Sequence, residues 1–107
     1  MSRLCLGIES TAHTFGIGII TFDGDILANE RAMFTTETGG MIPTDVAKHH
    51  DHVKDDVLQR ALAKANITLN DISLISFARG PGLAPSLRVG KDFALALSQQ
   101  ISLPVIG

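Results

Sequence analysis

The residues best suited to chemistry cluster between Ser76 and Gly90, in the stretch S-F-A-R-G-P-G-L-A-P-S-L-R-V-G. Gly80 and Gly82 give the backbone freedom or let another group approach it, and Pro81 fixes its own φ. Pro85-Ser86 suits the start of a helix, with Ser86 as a candidate cap. A glycine loop feeding a helix leaves free N–H groups at the helix N-terminus, where an anion is favoured. Arg79 and Arg88 flank the loop and could add charge-assisted hydrogen bonds. The plainer alternative is a sharp strand-to-helix turn that binds nothing.

Two further groups carry candidate chemistry. Glu9, Ser10 and Thr11 follow a short apolar run, at the strand end where open α/β sheets bind ligands. The alternative is that Ser10 and Thr11 only satisfy loop backbone groups. Asp45, His49, His52 and Asp56 recur at i, i+4, i+7 and i+11, on one helix face. Two such histidines can share a metal, but no converging ligand from another element is identifiable. A solvated or RNA-facing polar edge is therefore expected, with Lys48, His49 and His52 a modest basic patch when protonated. His50 falls on the apolar stripe and reads as a hydrogen-bonded histidine at the core edge. No catalytic residue is identified.

The elements that must position these groups follow from periodicity. Leu4 to Glu9 reads as a nearly all-apolar strand at the centre of a sheet covered on both faces. Phe15 to Phe22 is a second strand, and Asp23-Gly24 a hairpin turn. Ile26 to Phe34 is more mixed and so nearer an edge, and Thr35 to Met41 is a loop. Pro43-Thr44-Asp45 opens a long helix with an acidic residue at the favourable end of its dipole. Its apolar stripe is Val46, His50, Val53, Val57, Ala61 and Ala65, with Leu58 and Leu62 beside it. Lys48, Asp55, Gln59 and Lys64 lie on the other side, and Asn66 ends the helix.

Asn70-Asp71 is a turn before a strand over Ile72 to Ala78. After the glycine loop, Ser86 to Gln100 is a second helix, and Leu103 to Ile106 starts a fifth strand. Leu87, Val89, Phe93, Leu95 and Leu97 surround that helix, so it is expected to be buried on all sides. Gly90, Ala94 and Ala96 would let a neighbouring helix come close. The order β-β-β-α-β-α-β is an α/β plan, that of a ribonuclease-H-like or actin-like ATPase lobe, as in sugar kinases and heat-shock ATPases.

Composition bounds the partners. A chain of 107 residues is one domain, and 45% hydrophobic content is enough for a core. A net charge of −2 gives no global basic field, so contact with nucleic acid must be local. The single cysteine, Cys5, excludes a disulfide framework and fits a reducing cytosol. No run reaches the length of a membrane span, and no secretory leader is recognisable, so a cytoplasmic protein is expected.

Three motifs in register carry a resemblance: I-E-S-T-A-H-T-F-G-I-G-I, G-G-M-I-P-T-D-V-A-K-H-H and A-R-G-P-G-L-A-P-S-L-R-V-G. Together they resemble the universal tRNA threonylcarbamoyladenosine biosynthesis family, also called TsaD, Gcp or OSGEP. The His49-His50 pair and P-S-L-R-V are similar to its archaeal and eukaryotic branch, the catalytic subunit of the KEOPS complex. His13-Thr14-Phe15-Gly16 stands where the bacterial branch has D-E-T-G.

The resemblance implies transfer of a threonylcarbamoyl group from threonylcarbamoyl-adenylate to the adenosine beside the tRNA anticodon. It implies a divalent metal, iron or zinc, held by an H-x-x-x-H motif and a late aspartate beyond residue 107. Residues 1–107 would then be the N-terminal lobe of a two-lobe enzyme, inactive alone. An acyl-adenylate or ATP-type nucleotide and the tRNA would lie near Glu9, Ser10, Thr11, Lys48, His49, Arg79, Gly80 and Gly82. Implied partners are the small dimerising KEOPS subunit and the kinase-like subunit. The first would meet a helical face containing Val53, Val57, Leu58, Leu62, Phe93 and Leu97. The alternative is a non-catalytic actin-like scaffold of the same complex. A sugar or acetate kinase fits less well, because the D-x-G phosphate hairpin is missing.

Overall fold

The structure is a computed structural model that describes residues 3–36, 39–40 and 42–107. The elements are β1 (Leu4–Ser10), β2 (Thr14–Thr21), β3 (Ile26–Met33), α1 (Pro43–Ala65), a 3-10 turn (Leu69–Asp71), β4 (Leu74–Phe77), α2 (Ala84–Ile101) and β5 (Val105–Ile106). They form one sheet in the order β3-β2-β1-β4-β5. β1, β2 and β3 are antiparallel neighbours; β4 runs parallel to β1, and β5 parallel to β4. The element order and the central place of β1 match the sequence reading, as does β3 at an edge. The expected loop over Thr35–Met41 falls partly outside the described residues.

Local chemistry sets the boundaries. Gly24 takes φ +101° in the β2–β3 turn, where its N–H donates to the Thr21 carbonyl at 3.0 Å. Asn66 ends α1 in the left-handed conformation, φ 57°, and its N–H bonds back to the Ala63 carbonyl. The strand expected over Ile72–Ala78 is shorter. Asp71 accepts from the Thr68 N–H and closes a capping box, which holds Leu69–Asp71 in a 3-10 turn, and pairing begins only at Leu74.

Both helices lie on one face of the sheet and pack on each other. That face is made by alternate strand residues: Leu6 and Ile8 from β1, Phe15, Ile17 and Ile19 from β2, and Ile75 from β4, all buried. The opposite face is not covered among the described residues, against the expectation for β1. There Gly7 pairs with Gly18 and Glu9 with Gly16, so the surface carries few large side chains. The apolar run of β1 misled because its second face is small rather than hydrophobic.

α2 also departs from expectation. Its buried residues, Ser86, Gly90, Phe93, Ala94 and Leu97, recur at helical spacing on one side only. Leu95 stands outward at 37% exposure. The helix is one-sided rather than enclosed. No helix among the described residues is long and apolar enough to cross a membrane.

Candidate functional site

Because β1 and β4 are parallel neighbours, in register from Cys5–Leu74 to Ile8–Phe77, their carboxyl ends finish at one corner. Ligands of open α/β sheets bind at such a corner. From β1 the chain enters the turn Thr11–His13; from β4 it passes through Arg79–Leu83 into α2. The two loops are fastened together. The Ala78 N–H donates to the Ile8 carbonyl at 3.0 Å, and the Leu83 N–H to the Thr11 carbonyl at 2.7 Å.

The two glycines of the loop have different reasons to be glycine. Gly80 takes φ +148°, which L side chains rarely adopt, and precedes a cis Pro81. A Cβ on Gly82 would lie 2.9 Å from the Thr11 Cα and closer still to the Thr11 carbonyl oxygen. Gly82 is thus a close approach of two backbones.

α2 begins earlier than expected. Leu83 is its N-cap, extended at φ −73° and ψ 123°, with no side-chain cap. Ser86 is therefore not the cap. It lies inside the first turn, fully buried, and its Oγ has no protein partner. The first-turn N–H groups are left without a side-chain acceptor, which favours an anion at this end. Arg79 and Arg88 are exposed around a shallow cavity of about 330 Å³ that also includes Lys91 and Asp92, over Phe77 and Leu87. Sequence reasoning missed Lys91, although its spacing of three from Arg88 placed it on the same helix face.

Of the strand-end candidates, Glu9 is exposed and its Oε1 accepts from the Thr11 hydroxyl at 3.4 Å. It borders a cavity of about 460 Å³ on the uncovered sheet face, with Gly7, Gly16, Gly18, Asn29 and Arg31. Ser10 points the other way. Its side chain is buried under α2, where a Cβ on Gly90 would lie 2.9 Å from the Ser10 Cβ. Gly90 thus admits a strand, not a neighbouring helix.

On α1, Lys48 and His52 are exposed, and Asp56 pairs with Arg60 at 3.1 Å. His49 turns inward. Its ring meets Phe34 edge-on at 5.5 Å, and burial, then the nearby His52, lowers its pKa. At neutral pH it adds no charge to the patch. His50 is 0% exposed and bonded through Nε2 to the Ala12 carbonyl, as its place on the stripe implies. Burial is the first cause that lowers its pKa. Among the described residues no three His, Cys, Asp or Glu side chains converge on a metal position. These residues do not by themselves fit the metal that the resemblance implies.

The nominated interface residues Val57, Leu58, Leu62, Phe93 and Leu97 are buried, and Val53 is half-buried. Val57, Leu58, Leu62, Phe93 and Leu97 belong to the hydrophobic core, with Val53 packed against it. What remains open is a groove of about 880 Å³ along the pair, lined in part by Leu58, Leu62, Ala63, Phe93 and Ala96.

The sequence profile of the TsaD family, tRNA N6-adenosine threonylcarbamoyltransferase, matches residues 25–107. The chain belongs to this family. The match spans two of the three motifs that carried the resemblance, including the glycine loop and the start of α2. A tRNA N6-adenosine threonylcarbamoyltransferase of Sulfurisphaera tokodaii is 49% identical over 104 residues, covering 94% of this chain and 31% of that protein. One of Saccharolobus islandicus is 57% identical over 96 residues, covering 89% and 29%. A probable bifunctional tRNA threonylcarbamoyladenosine biosynthesis protein of Thermoplasma acidophilum is 50% identical over 104 residues, covering 97% and 20%. The chain thus spans a third or less of the length of these relatives.

Solved structures agree on the fold. YeaZ from Pseudomonas aeruginosa superposes with a TM-score of 0.76 at 16% identity, covering 97% of this chain and 42% of that one. Thermus thermophilus RuvC in complex with a Holliday junction substrate gives 0.55 at 14% identity, covering 98% and 64%. At these identities the likeness shows the ribonuclease-H-like architecture alone.

Proposed function

We propose that this chain is the N-terminal lobe of a tRNA N6-adenosine threonylcarbamoyltransferase and carries part of its acyl-adenylate site. The family match over the Arg79–Gly90 corner carries this reading. In the reaction, the exocyclic amine of adenosine attacks the carbamoyl carbon of threonylcarbamoyl-adenylate. A C–N bond forms, the C–O bond to the phosphate breaks, AMP leaves, and the amine loses a proton. The uncapped N–H groups of α2 and the exposed Arg79 and Arg88 suit the adenylate phosphate and its growing charge. Lys48 and His52, exposed on α1, would suit contact with the RNA backbone. The iron or zinc of the family would need ligands from outside the described residues, and no step is assigned to it.

The test uses the full-length protein with its complex partners, threonylcarbamoyl-adenylate and tRNA, with modified adenosine read by mass spectrometry. Product is expected from the full-length protein, and only background from residues 1–107 alone. No product from the assembled complex would leave the scaffold reading; product from the short chain would overturn its assignment as one lobe.

The partner reading is proposed in a revised form. The open groove between α1 and α2 is apolar along Leu58, Leu62, Phe93 and Ala96, which suits a helix of the small dimerising subunit. A kinase-like subunit and a cytoplasmic site remain parts of the same proposal. Leu97, at 4% exposure, belongs to the core, so a charge there would unfold the lobe rather than report on a partner. Ala96 is exposed. Ala96→Asp in the full-length protein is expected to weaken binding of the small subunit by about a hundredfold while leaving the Tm unchanged, because a charge in an apolar interface is desolvated without a partner. Undiminished binding would place that subunit elsewhere.

A further inference from the structure

We infer that His50 is a positioning residue that locks the turn after β1 and, through it, the glycine loop at the start of α2. This rests on reading that corner as the substrate site. Three successive carbonyls of the turn are each tied to a different element. Thr11 accepts from the Leu83 N–H at 2.7 Å, in the loop before α2. Ala12 accepts from His50 on α1 at 2.6 Å. His13 accepts from the Phe34 N–H at 2.7 Å, just after β3. His50 is the only side chain of the three donors, and it holds the middle of the turn.

The tautomers follow from the partners. A carbonyl can only accept, so His50 Nε2 carries a proton. In the neutral ring Nδ1 then offers a lone pair, and His49 Nδ1, 3.0 Å away, must be the donor to it. The line His49 Nδ1–H to His50 Nδ1, then His50 Nε2–H to Ala12, fixes both rings. His50 is fully buried against Phe15, with centroids 5.9 Å apart. The groups acting on it are His49 on its own helix, His13 from the turn and the Ala12 carbonyl; Phe15 from β2 is apolar. Further along α1, Lys54 lies over the Phe93 ring of α2.

A second proton on His50 would go to Nδ1 and face the His49 N–H. With His49 in this tautomer the two N–H groups would oppose each other, which favours a neutral His50, while the Ala12 carbonyl accepts from either form of the ring. Burial first, then His49 and His13, hold its pKa below the ordinary 6.5, against the bond to the Ala12 carbonyl, which raises it. The unfolded ring takes up its proton at higher pH than the folded one. The stability of the lock is thus full above about pH 6.5 and falls as pH drops toward and through the folded pKa.

Hydrogen exchange of the Leu83 amide in the full-length protein reads the lock without any transfer assay. His50→Leu keeps much of the volume and removes the donor. It is expected to speed exchange of peptides covering Leu83 about tenfold, the scale of one net hydrogen bond, with the centre of β1 unchanged. His50→Gln places an amide N–H near the Nε2 position and should restore protection at every pH. Wild type, corrected for intrinsic exchange, should lose part of its Leu83 protection as pH falls below about 6.5, and His50→Gln should not. In the transfer assay His50→Leu should raise KM for the acyl-adenylate about tenfold with a smaller effect on kcat, and His50→Gln should reverse it.

Unchanged Leu83 exchange in a folded His50→Leu protein would overturn the inference. So would equal pH responses of wild type and His50→Gln, a comparison that stands even if the leucine variant fails to fold. Failure of the transferase reading would show instead as absent product with the exchange pattern intact.

Discussion

Gly82→Val in the full-length protein is expected to abolish adenosine modification and leave a folded protein. The added Cβ would sit 2.9 Å from the Thr11 Cα and 3.0 Å from its carbonyl carbon. Both are backbone atoms, so neither can rotate away. The loop must lift from the β1–β2 turn, and the 2.7 Å bond from the Leu83 N–H to the Thr11 carbonyl is lost. Overpacking of this kind costs about 1–3 kcal/mol. A domain stable by about 5–15 kcal/mol survives that. The proposed substrate site would not, because a displacement of about 1 Å can cost a hundredfold in rate. The clash begins at Cβ, so Gly82→Ala should lose nearly as much as Gly82→Val. Modified adenosine by mass spectrometry and Tm by calorimetry check both. Wild-type activity in either folded variant would make the loop a turn and nothing more.

Gly82 also shows where sequence reading stops. Two glycines around a proline told of backbone freedom or close approach without saying which. The structure separates them: Gly80 has the positive φ, and Gly82 the crowded neighbour. What could be read was local. The α1 stripe and its end at Asn66 follow from periodicity and from the left-handed tolerance of asparagine. What could not be read depends on which face meets the sheet. α2 is rich in Leu and Ala on every side, and nothing local says that Gly90 faces Ser10 or that Leu95 faces outward. Ser86 looked like a cap because Pro85 precedes it. Yet the extended backbone at Leu83 starts the helix before both, and buries the hydroxyl instead. The Ala12 carbonyl carries no sequence signal at all, since any residue supplies one. His50 gave half of that contact away: a histidine on an apolar stripe needs a partner, but the sequence cannot name it.

Phe15→Ala is expected to remove a large part of the stability of this chain. Phe15 is 0% exposed on β2, opposite Ser10 of β1, on the face that carries the helices. Its ring lies 5.9 Å from that of His50 on α1 and 6.2 Å from that of Phe93 on α2. Both helices therefore rest on it, and neither can close the gap without leaving the other. Buried Phe→Ala changes cost about 3–5 kcal/mol when the site cannot collapse. At roughly 0.05–0.15 kcal/mol per residue, that is a large part of the total for a chain of this size. Phe22, 52% exposed in the β2–β3 turn, is the control, and Phe22→Ala should stay within about 0.5 kcal/mol of wild type. Urea unfolding of the three proteins gives the comparison. If Phe15→Ala loses no more than Phe22→Ala, the two helices are not seated on this ring. The His50 lock, which leans on the same side chain, would then need another support.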